Sequence, residues 1–355
     1  MAELKLVTLN LEWMVSIFNG RWTDWDGTIP DTFAGRRLGN INLEPIEDVQ
    51  DLCERIGGMI LTLDPSILMI QEGPPLKEQM EYFVDEYLGG EYVVHTSNSR
   101  WQTLHALVHH SLAERVTLFA HNGPETAELR KNNLFYPWGE INEPKKHMHY
   151  RIPLVLTFET ASKKLRLLNV HTKSKYSLLK HPEQWLNRDE EAINDALLAR
   201  QKLSVEIANI RSFISNDLGS GSPPDGLVVM GDMNDGAYAE LMEREFLVKN
   251  IIDELTGSFL VPDEYLKHAM PPSRIAESST CVFPDPLNNG EIVEELIDHV
   301  LVSRSIWQNR RPFKVKSNSC RVEKQIYDWF DDSDSDRKRH QRPSDHKPVS
   351  VVIEY

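Results

Sequence analysis

The 355-residue chain has little cysteine: Cys53, Cys281 and Cys320, an odd number set far apart. That spacing argues against a disulfide framework and against a thiolate zinc site, and leaves buried free thiols as the expectation. No apolar run approaches the roughly 20 residues of a membrane helix, so no membrane insertion is expected. Basic charge is also short, with 39 Lys and Arg against 54 Asp and Glu and a formal net charge of −15. A protein that coats nucleic acid by charge alone is basic, so the balance argues against that class. It does not argue against an enzyme whose carboxylates hold cations, because a bound metal inverts the local charge. The opening MAELKLVTLN lacks the basic start, apolar stretch and cleavage site of a signal peptide, which suggests a cytoplasmic protein. Internal repeats and long low-complexity linkers are absent as well.

Hydrophobic residues make up 40% and charged residues 26%, an ordinary globular composition. The length suits one large domain, read here as 1–355, with insertions near 14–45, 122–149, 176–190, 255–290 and 317–342. Apolar stretches predict strands at 5–10, 67–70, 92–94, 104–108, 116–119, 152–158, 165–170, 227–230, 299–302 and 349–353. Ile46, Val49, Cys53, Ile56 and Ile60 have helical spacing, broken by Asp64-Pro65. A long helix is expected over about 189–217, with Leu203, Ile207, Ile210 and Ile214 as its apolar stripe and Gly219 as its stop. Strands outnumber helices, and several neighbours have no helix between them, so simple βαβ alternation does not fit. Two mixed, mostly antiparallel sheets packed face to face with helices outside fit better.

Six polar clusters sit where apolar strands begin or end: Asn10-Leu11-Glu12, Gln71-Glu72, Asn169-Val170-His171, Gly231-Asp232-Met233-Asn234, Asp298-His299 and Ser344-Asp345-His346. Alternation along an extended chain puts Asn10 and Glu12 on one face, and likewise Asp232 and Asn234. Each cluster alone reads as a turn or cap; the set carries the weight. Hydrolysis of a phosphate ester needs a hard cation on the phosphoryl oxygens, and Mg²⁺ or Mn²⁺ takes oxygen ligands. Glu72, with Asn10 or Glu12 and Asp345, supplies that donor type. His346 or Asp232 suits activation of water, Asp298 suits orientation of a histidine, and Asn234 and His171 suit contact with phosphate oxygens.

The order N-x-E, Q-E, N-x-H, G-D-x-N, I-D-H and S-D-H resembles the endonuclease/exonuclease/phosphatase superfamily, over residues 8 to 348. The resemblance implies a four-layered α/β sandwich and a divalent metal, Mg²⁺ or Mn²⁺. It implies Glu72 as the principal metal ligand with Asn10 beside it, and a supporting metal role for Asp345. Glu12 departs from many members at its position. Asp232 and Asn234 would bind or activate water and phosphate, Asp298 would orient His346, and His171 would contact phosphate. Arg151, which opens RIPLV, and Lys173, in HTKSK, resemble substrate-binding basic residues of the family.

For substrate, the leading expectation is a nuclease acting on DNA or RNA. The alternatives are a phosphomonoesterase, a lipid phosphodiesterase of phosphoinositide or sphingomyelin type, or a silent binding module. The last is disfavoured because the motif set is intact. Asn234 is followed by Asp235-Gly236-Ala237 rather than Tyr-Arg, which lowers the phosphoinositide reading. Lys173 and Lys175 are candidates for a nucleic-acid backbone, and 337–342 is a basic run that either grips an anion or neutralises the acidic run before it. Trp13, Trp22 and Trp25 suit packing of the first insertion, with base stacking as the alternative. Oligomeric state is left open by the sequence.

Overall fold

The structure is a computed structural model that describes residues 2–19, 23–38, 41–97, 102–119, 123–131, 134–138, 141–175, 179–236, 241–310, 312–334 and 338–355. Two mixed sheets form its middle. In the first, strands run in the order Lys314–Val315, Val349–Glu354, Glu3–Asn10, Ile67–Gly73, Thr103–His109, Tyr92–Thr96, and Arg321–Val322 also pairs with Val349–Glu354. In the second, the order is Leu266–His268, Asp298–Ser303, Gly226–Asp232, Lys163–His171, Leu154–Thr160, Val116–Leu118.

Alternation sorts the side chains into layers. Leu4 and Leu6 face the second sheet, joining Met69, Leu156, Leu167, Val228 and Val351 in the core between the sheets. Val7, Leu9, Leu68 and Ile70 face the other way, onto Val49, Cys53, Ile56 and Ile60 of the helix Val49–Leu63. On the far side of the second sheet, Leu168, Val170 and Val229 meet Leu203, Ile207, Ile210 and Ile214 of the helix Glu190–Leu218. Each such fully buried side chain stabilises the fold by about 1.5–3 kcal/mol. The result is helix, sheet, sheet, helix: the layered α/β sandwich anticipated above.

Local chemistry fixes the helix ends. The Asp48 side chain accepts from Asp51 N and starts the first helix; Asp64, left-handed at φ 44° and followed by Pro65, stops it. The Asp189 side chain accepts from Ala192 N, and Gly219 closes the long helix. Ile46 was expected in the first helix, but it lies ahead of the Asp48 cap, in a bridge with Phe33.

The predicted loops carry more order than expected, because their elements are short and their apolar residues sparse. Arg36–Leu38 pairs with Ile41–Leu43, Leu134–Trp138 with Ile141–His147, and Cys281–Pro284 with Ile292–Glu295. Pro182–Leu186 and Lys324–Phe330 are helices, and Leu266–His268 is an edge strand. The helix Lys77–Tyr87 was not anticipated: charged residues dilute its inward stripe of Met80, Phe83 and Val84. Trp13 and Trp25 pack against the outer core of the first sheet, Trp25 edge-on to Phe18 and Tyr82, so packing is the role they show. Trp22 lies outside the described residues. Among the described residues, no helix is long and apolar enough to cross a membrane.

One topological detail positions the site. Each sheet has one parallel pair at its centre, Glu3–Asn10 with Ile67–Gly73 and Lys163–His171 with Gly226–Asp232. Parallel strands end on the same edge. Asn10 therefore pairs in register with Gln71, and His171 with Asp232, which also faces Asp298. Packing the two sheets together brings these ends to one place.

Candidate active site

Glu72 follows Gln71, and its backbone is left-handed at φ 57°. Such a conformation is uncommon outside glycine and turns the side chain off the sheet alternation. Gln71 stays inside, donating through Nε2 to Asn169 Oδ1 at 2.6 Å, and Asn169 Nδ2 donates in turn to the Ile70 and His105 carbonyls. Glu72 Oε2 accepts from Trp13 N at 2.8 Å, and Oε1 lies 3.7 Å from His171 Nε2. Burial raises the Glu72 pKa; Arg151 opposes the shift and Asp345 adds to it.

Asp232 closes its strand one residue after Gly231. At φ +143°, Gly231 has room for no side chain, since a Cβ would fall 1.9 Å from the Val170 carbonyl oxygen. Asp232 Oδ2 accepts from Asn10 Nδ2 at 3.0 Å and lies 3.4 Å from His171 Nε2. Burial, with Asp298 and Glu72 adding and His346 opposing, pushes the Asp232 carboxyl up to about 7. Asp232 Oδ1 accepts from Asn234 N at 2.8 Å, and Asn234 is left-handed at φ 52°. The chain thus turns rather than staying extended, so Asn234 does not share a strand face with Asp232. Its amide donates to Thr172 O at 3.0 Å instead.

Across the cleft, His346 Nδ1 and Asp298 Oδ2 are 2.8 Å apart, and His346 Nε2 is 3.9 Å from Asp345 Oδ1. Burial by itself would lower the His346 pKa, but Asp298, Cys281 and Asp345 outweigh it and hold the imidazole well above its ordinary value. His171 is the reverse case: burial first, then Arg151 and His346, push it well below. The Asp345 carboxyl rises to about 6 through partial burial and the neighbouring Glu12. Ser344 ties this segment to the first strand, its Oγ donating to Asn10 O at 2.6 Å.

The structure therefore brings Asn10, Glu72, His171, Asp232, Asp298, Asp345 and His346 into one cluster. Arg151 lies at its edge, donating to Gln102 Oε1 and to Thr172 O, close enough to act on Glu72 and His171. Lys173 is beside it and partly buried; burial and Arg151 lower its pKa. Glu12 behaves differently. It is left-handed at φ 45°, so it leaves the face of Asn10, and it pairs with Arg342 at 2.5 Å and Arg339 at 3.3 Å. Arg342 and Arg339 are buried and pair with Glu12, so among the described residues this part of the basic run meets a carboxylate outside the acidic run that precedes it. Arg337 lies outside the described residues. Lys175 is also withdrawn from any backbone: it is buried and reaches Glu295 at 3.0 Å.

Three contributors were not singled out from the sequence. Glu206, mid-helix, accepts from Lys173 N at 2.9 Å and pairs with His147 at 2.8 Å, pinning the His171 loop. A carboxylate beside the apolar stripe at Leu203 and Ile207 was the available signal. Arg200, fully buried, holds Asp235 at 2.9 Å and Glu243 at 2.5 Å and so fixes the turn after Asn234. Cys281 bridges to His346 across strands 65 positions apart, with no local signal. Beside Asp345 opens a cavity of about 630 Å³, lined by Glu12, Arg339 and Arg342 together with Val282, Phe283 and Ile292.

No family model and no curated protein matches the chain. Among solved structures, it is similar to TDP2 of D. rerio complexed with single-strand DNA product, at 10% identity over 100% of both chains with a TM-score of 0.49. It is also similar to an endonuclease/exonuclease/phosphatase family protein from Bacteroides thetaiotaomicron, at 14% identity over 99% of this chain and 97% of the other, TM-score 0.49. A functionally unknown conserved protein from Enterococcus faecalis aligns at 12% identity over 99% of each chain, TM-score 0.46. These likenesses concern the course of the chain, and the chemistry of the site rests on its own residues.

Proposed function

We propose that the chain is a divalent-metal-dependent phosphodiesterase of the endonuclease/exonuclease/phosphatase type, acting on nucleic acid. The observation that carries this reading is the meeting, where the ends of the two packed sheets come together, of a carboxylate-rich half (Glu72, Asp232, Asp345) and a histidine held by a carboxylate (His346 on Asp298). The donor set fits a hard cation. Glu72, Asp345 and the Asn10 carboxamide offer oxygen, and burial raises both carboxyls with no lysine or arginine among the described residues at ion-pair distance from Glu72. Bound there, Mg²⁺ or Mn²⁺ supplies charge neutralisation on the phosphoryl oxygens.

The protein's own groups do the rest. Asp232, with a carboxyl near neutral pKa, is matched to accepting a proton from water. Asn234 N fixes its Oδ1 and Asn10 its Oδ2. The His346 imidazolium presents Nε2–H to the phosphate while Asp298 fixes the ring through Nδ1. His171, kept neutral by burial, adds a donor without adding charge. Arg151 and Lys173 meet the flanking phosphate. The three cysteines are free and buried, which suits a reducing, cytoplasmic setting.

A second reading, a lipid phosphodiesterase, draws support from the apolar residues Val282, Phe283 and Ile292 in the lining of the cavity beside Asp345. A panel of single- and double-stranded DNA, RNA, bis-p-nitrophenyl phosphate, p-nitrophenyl phosphate, sphingomyelin and phosphoinositides, with Mg²⁺, Mn²⁺ or EDTA, separates them. Metal-dependent nucleic-acid cleavage, lost in Glu72→Ala and His346→Ala, is expected. Cleavage of a lipid or monoester alone moves the function to the alternative, and full activity in His346→Ala sinks the mechanism.

A further inference from the structure

Of the three thiols, Cys281 stands apart because its sulfur faces the candidate site. Donor atoms of Cys281, Asp345 and His346 all lie within 4.8 Å of one another. Backbone contacts hold them there: Cys281 and His346 form a bridge, and Lys347 N donates to Thr280 O at 2.8 Å. Thr280 is itself fixed, its Oγ1 accepting from Ile297 N and Asp298 N. His346 has committed Nδ1 to Asp298, so Nε2 is the nitrogen left for a ligand. A carboxylate on the far nitrogen of an imidazole is the arrangement that orients metal-binding histidines and makes them better donors.

We propose that Cys281, Asp345 and His346 form a second, thiolate-containing site that takes a zinc-class ion and, when filled, silences the hydrolytic centre. The thiol decides the class of ion. A hard cation prefers oxygen donors throughout, whereas a sulfur, nitrogen and oxygen set selects Zn²⁺ or Co²⁺. Ligands of a tetrahedral zinc lie about 3.3–3.8 Å apart, given zinc bonds of about 2.0–2.3 Å, so the three donors must close by up to about an ångström. Asp345, 40% exposed at its side chain, has the freedom to make that movement and leaves the fourth position open to water. Binding expels the thiol proton to buffer, and also the Nε2 proton when His346 carries one. The silencing follows because the ion takes His346 Nε2 and Asp345 from the reaction. That consequence rests on the proposed function; the binding itself does not.

The test uses Co²⁺ as a spectroscopic probe on the full chain with Mg²⁺ in excess, followed by Zn²⁺ titration in a calorimeter. One equivalent of Co²⁺ with a thiolate-to-cobalt charge-transfer band, displaced by Zn²⁺, is expected. The band disappears in Cys281→Ala, and Asp298→Asn weakens Zn²⁺ binding about 10- to 100-fold. Zn²⁺ inhibition, read against each variant's own uninhibited rate, shifts at least about tenfold in Cys281→Ala. Absence of the band in the folded wild-type protein overturns the proposal whatever the variants do. So does a band, or an inhibition curve, unchanged in a Cys281→Ala protein with a wild-type circular-dichroism spectrum. A band without hydrolysis of any substrate in the panel keeps the metal site and removes the function reading.

Discussion

His171 and His346 are both buried in the same cluster and both lie near carboxylates, yet burial governs the first and a carboxylate governs the second. The difference is a matter of contact. Asp298 Oδ2 stands 2.8 Å from His346 Nδ1, a hydrogen bond to the charged form. Asp232 and Glu72 stand 3.4 and 3.7 Å from His171 Nε2, and the Nδ1 of His171 has no hydrogen-bond partner among the described residues. A charge removed from water is recovered only by a directed partner, so about half an ångström, the difference between a hydrogen bond and mere proximity, separates a cation from a neutral ring. One site thereby holds a charged donor and an uncharged one.

Asp298→Asn breaks the comparison most severely. It leaves His346 in the position of His171, buried without a hydrogen-bonded carboxylate. Turnover is expected to fall about 10²- to 10⁴-fold, and in metal-free protein the His346 resonance should titrate lower by NMR. An unchanged titration would remove Asp298 as the cause. His171→Gln deletes the neutral donor, for an expected loss of about 10²- to 10³-fold in kcat. A loss of twofold or less would deny His171 any contact with the transition state.

Gly231→Ala attacks the register that sets the His171–Asp232 distance. Its Cβ would meet the Val170 carbonyl oxygen, so a loss of about 2–4 kcal/mol in chemical denaturation is expected. A neutral result would mean the strand end yields without strain.

The smallest effect sharpens the general point. His105 and His268 are buried with no carboxylate among the causes of their shifts, and burial lowers them to about 4 and about 3. In the unfolded chain both take up protons below about pH 6.5. The unfolded state then binds more protons, so stability falls as pH drops from about 6.5 toward 4, by about 1 kcal/mol per group per pH unit. Denaturation midpoints measured across that range, in wild type and in His268→Phe, check it. A variant with the same acid slope as wild type would show that His268 is not held neutral.

Much of this was legible because strand-end motifs are local. Asn10, Glu72, His171, Asp232, Asp298 and His346 each close or open an apolar stretch; the parallel pairs bring the first four together, and the antiparallel neighbours that Asp298 and His346 open start at the same end. What a local reading misses is the partner. Glu12 shares a motif with Asn10, but Arg342, 330 positions away, claims it. Asn234 was expected to share a strand face with Asp232, but a left-handed residue ends the strand. The helix Lys77–Tyr87 has no clear apolar period in the sequence because Lys77, Glu78, Glu81, Asp85 and Glu86 dilute its apolar face. Cys281 could not be placed, since its neighbour His346 is brought to it only by strand pairing.

The pairing of Glu3–Asn10 with Val349–Glu354 has a kinetic consequence. The segment that carries Asp345 and His346 leads directly into a strand whose partner is more than 300 residues upstream. Closing so long a loop delays the reward for its entropy, and folds dominated by such distant contacts form in milliseconds to seconds rather than microseconds. During synthesis, the Glu3–Asn10 strand must wait with one edge unpaired until Val349–Glu354 has emerged. The site is thus among the last features to assemble, since its set of candidate groups stays incomplete until His346 has emerged.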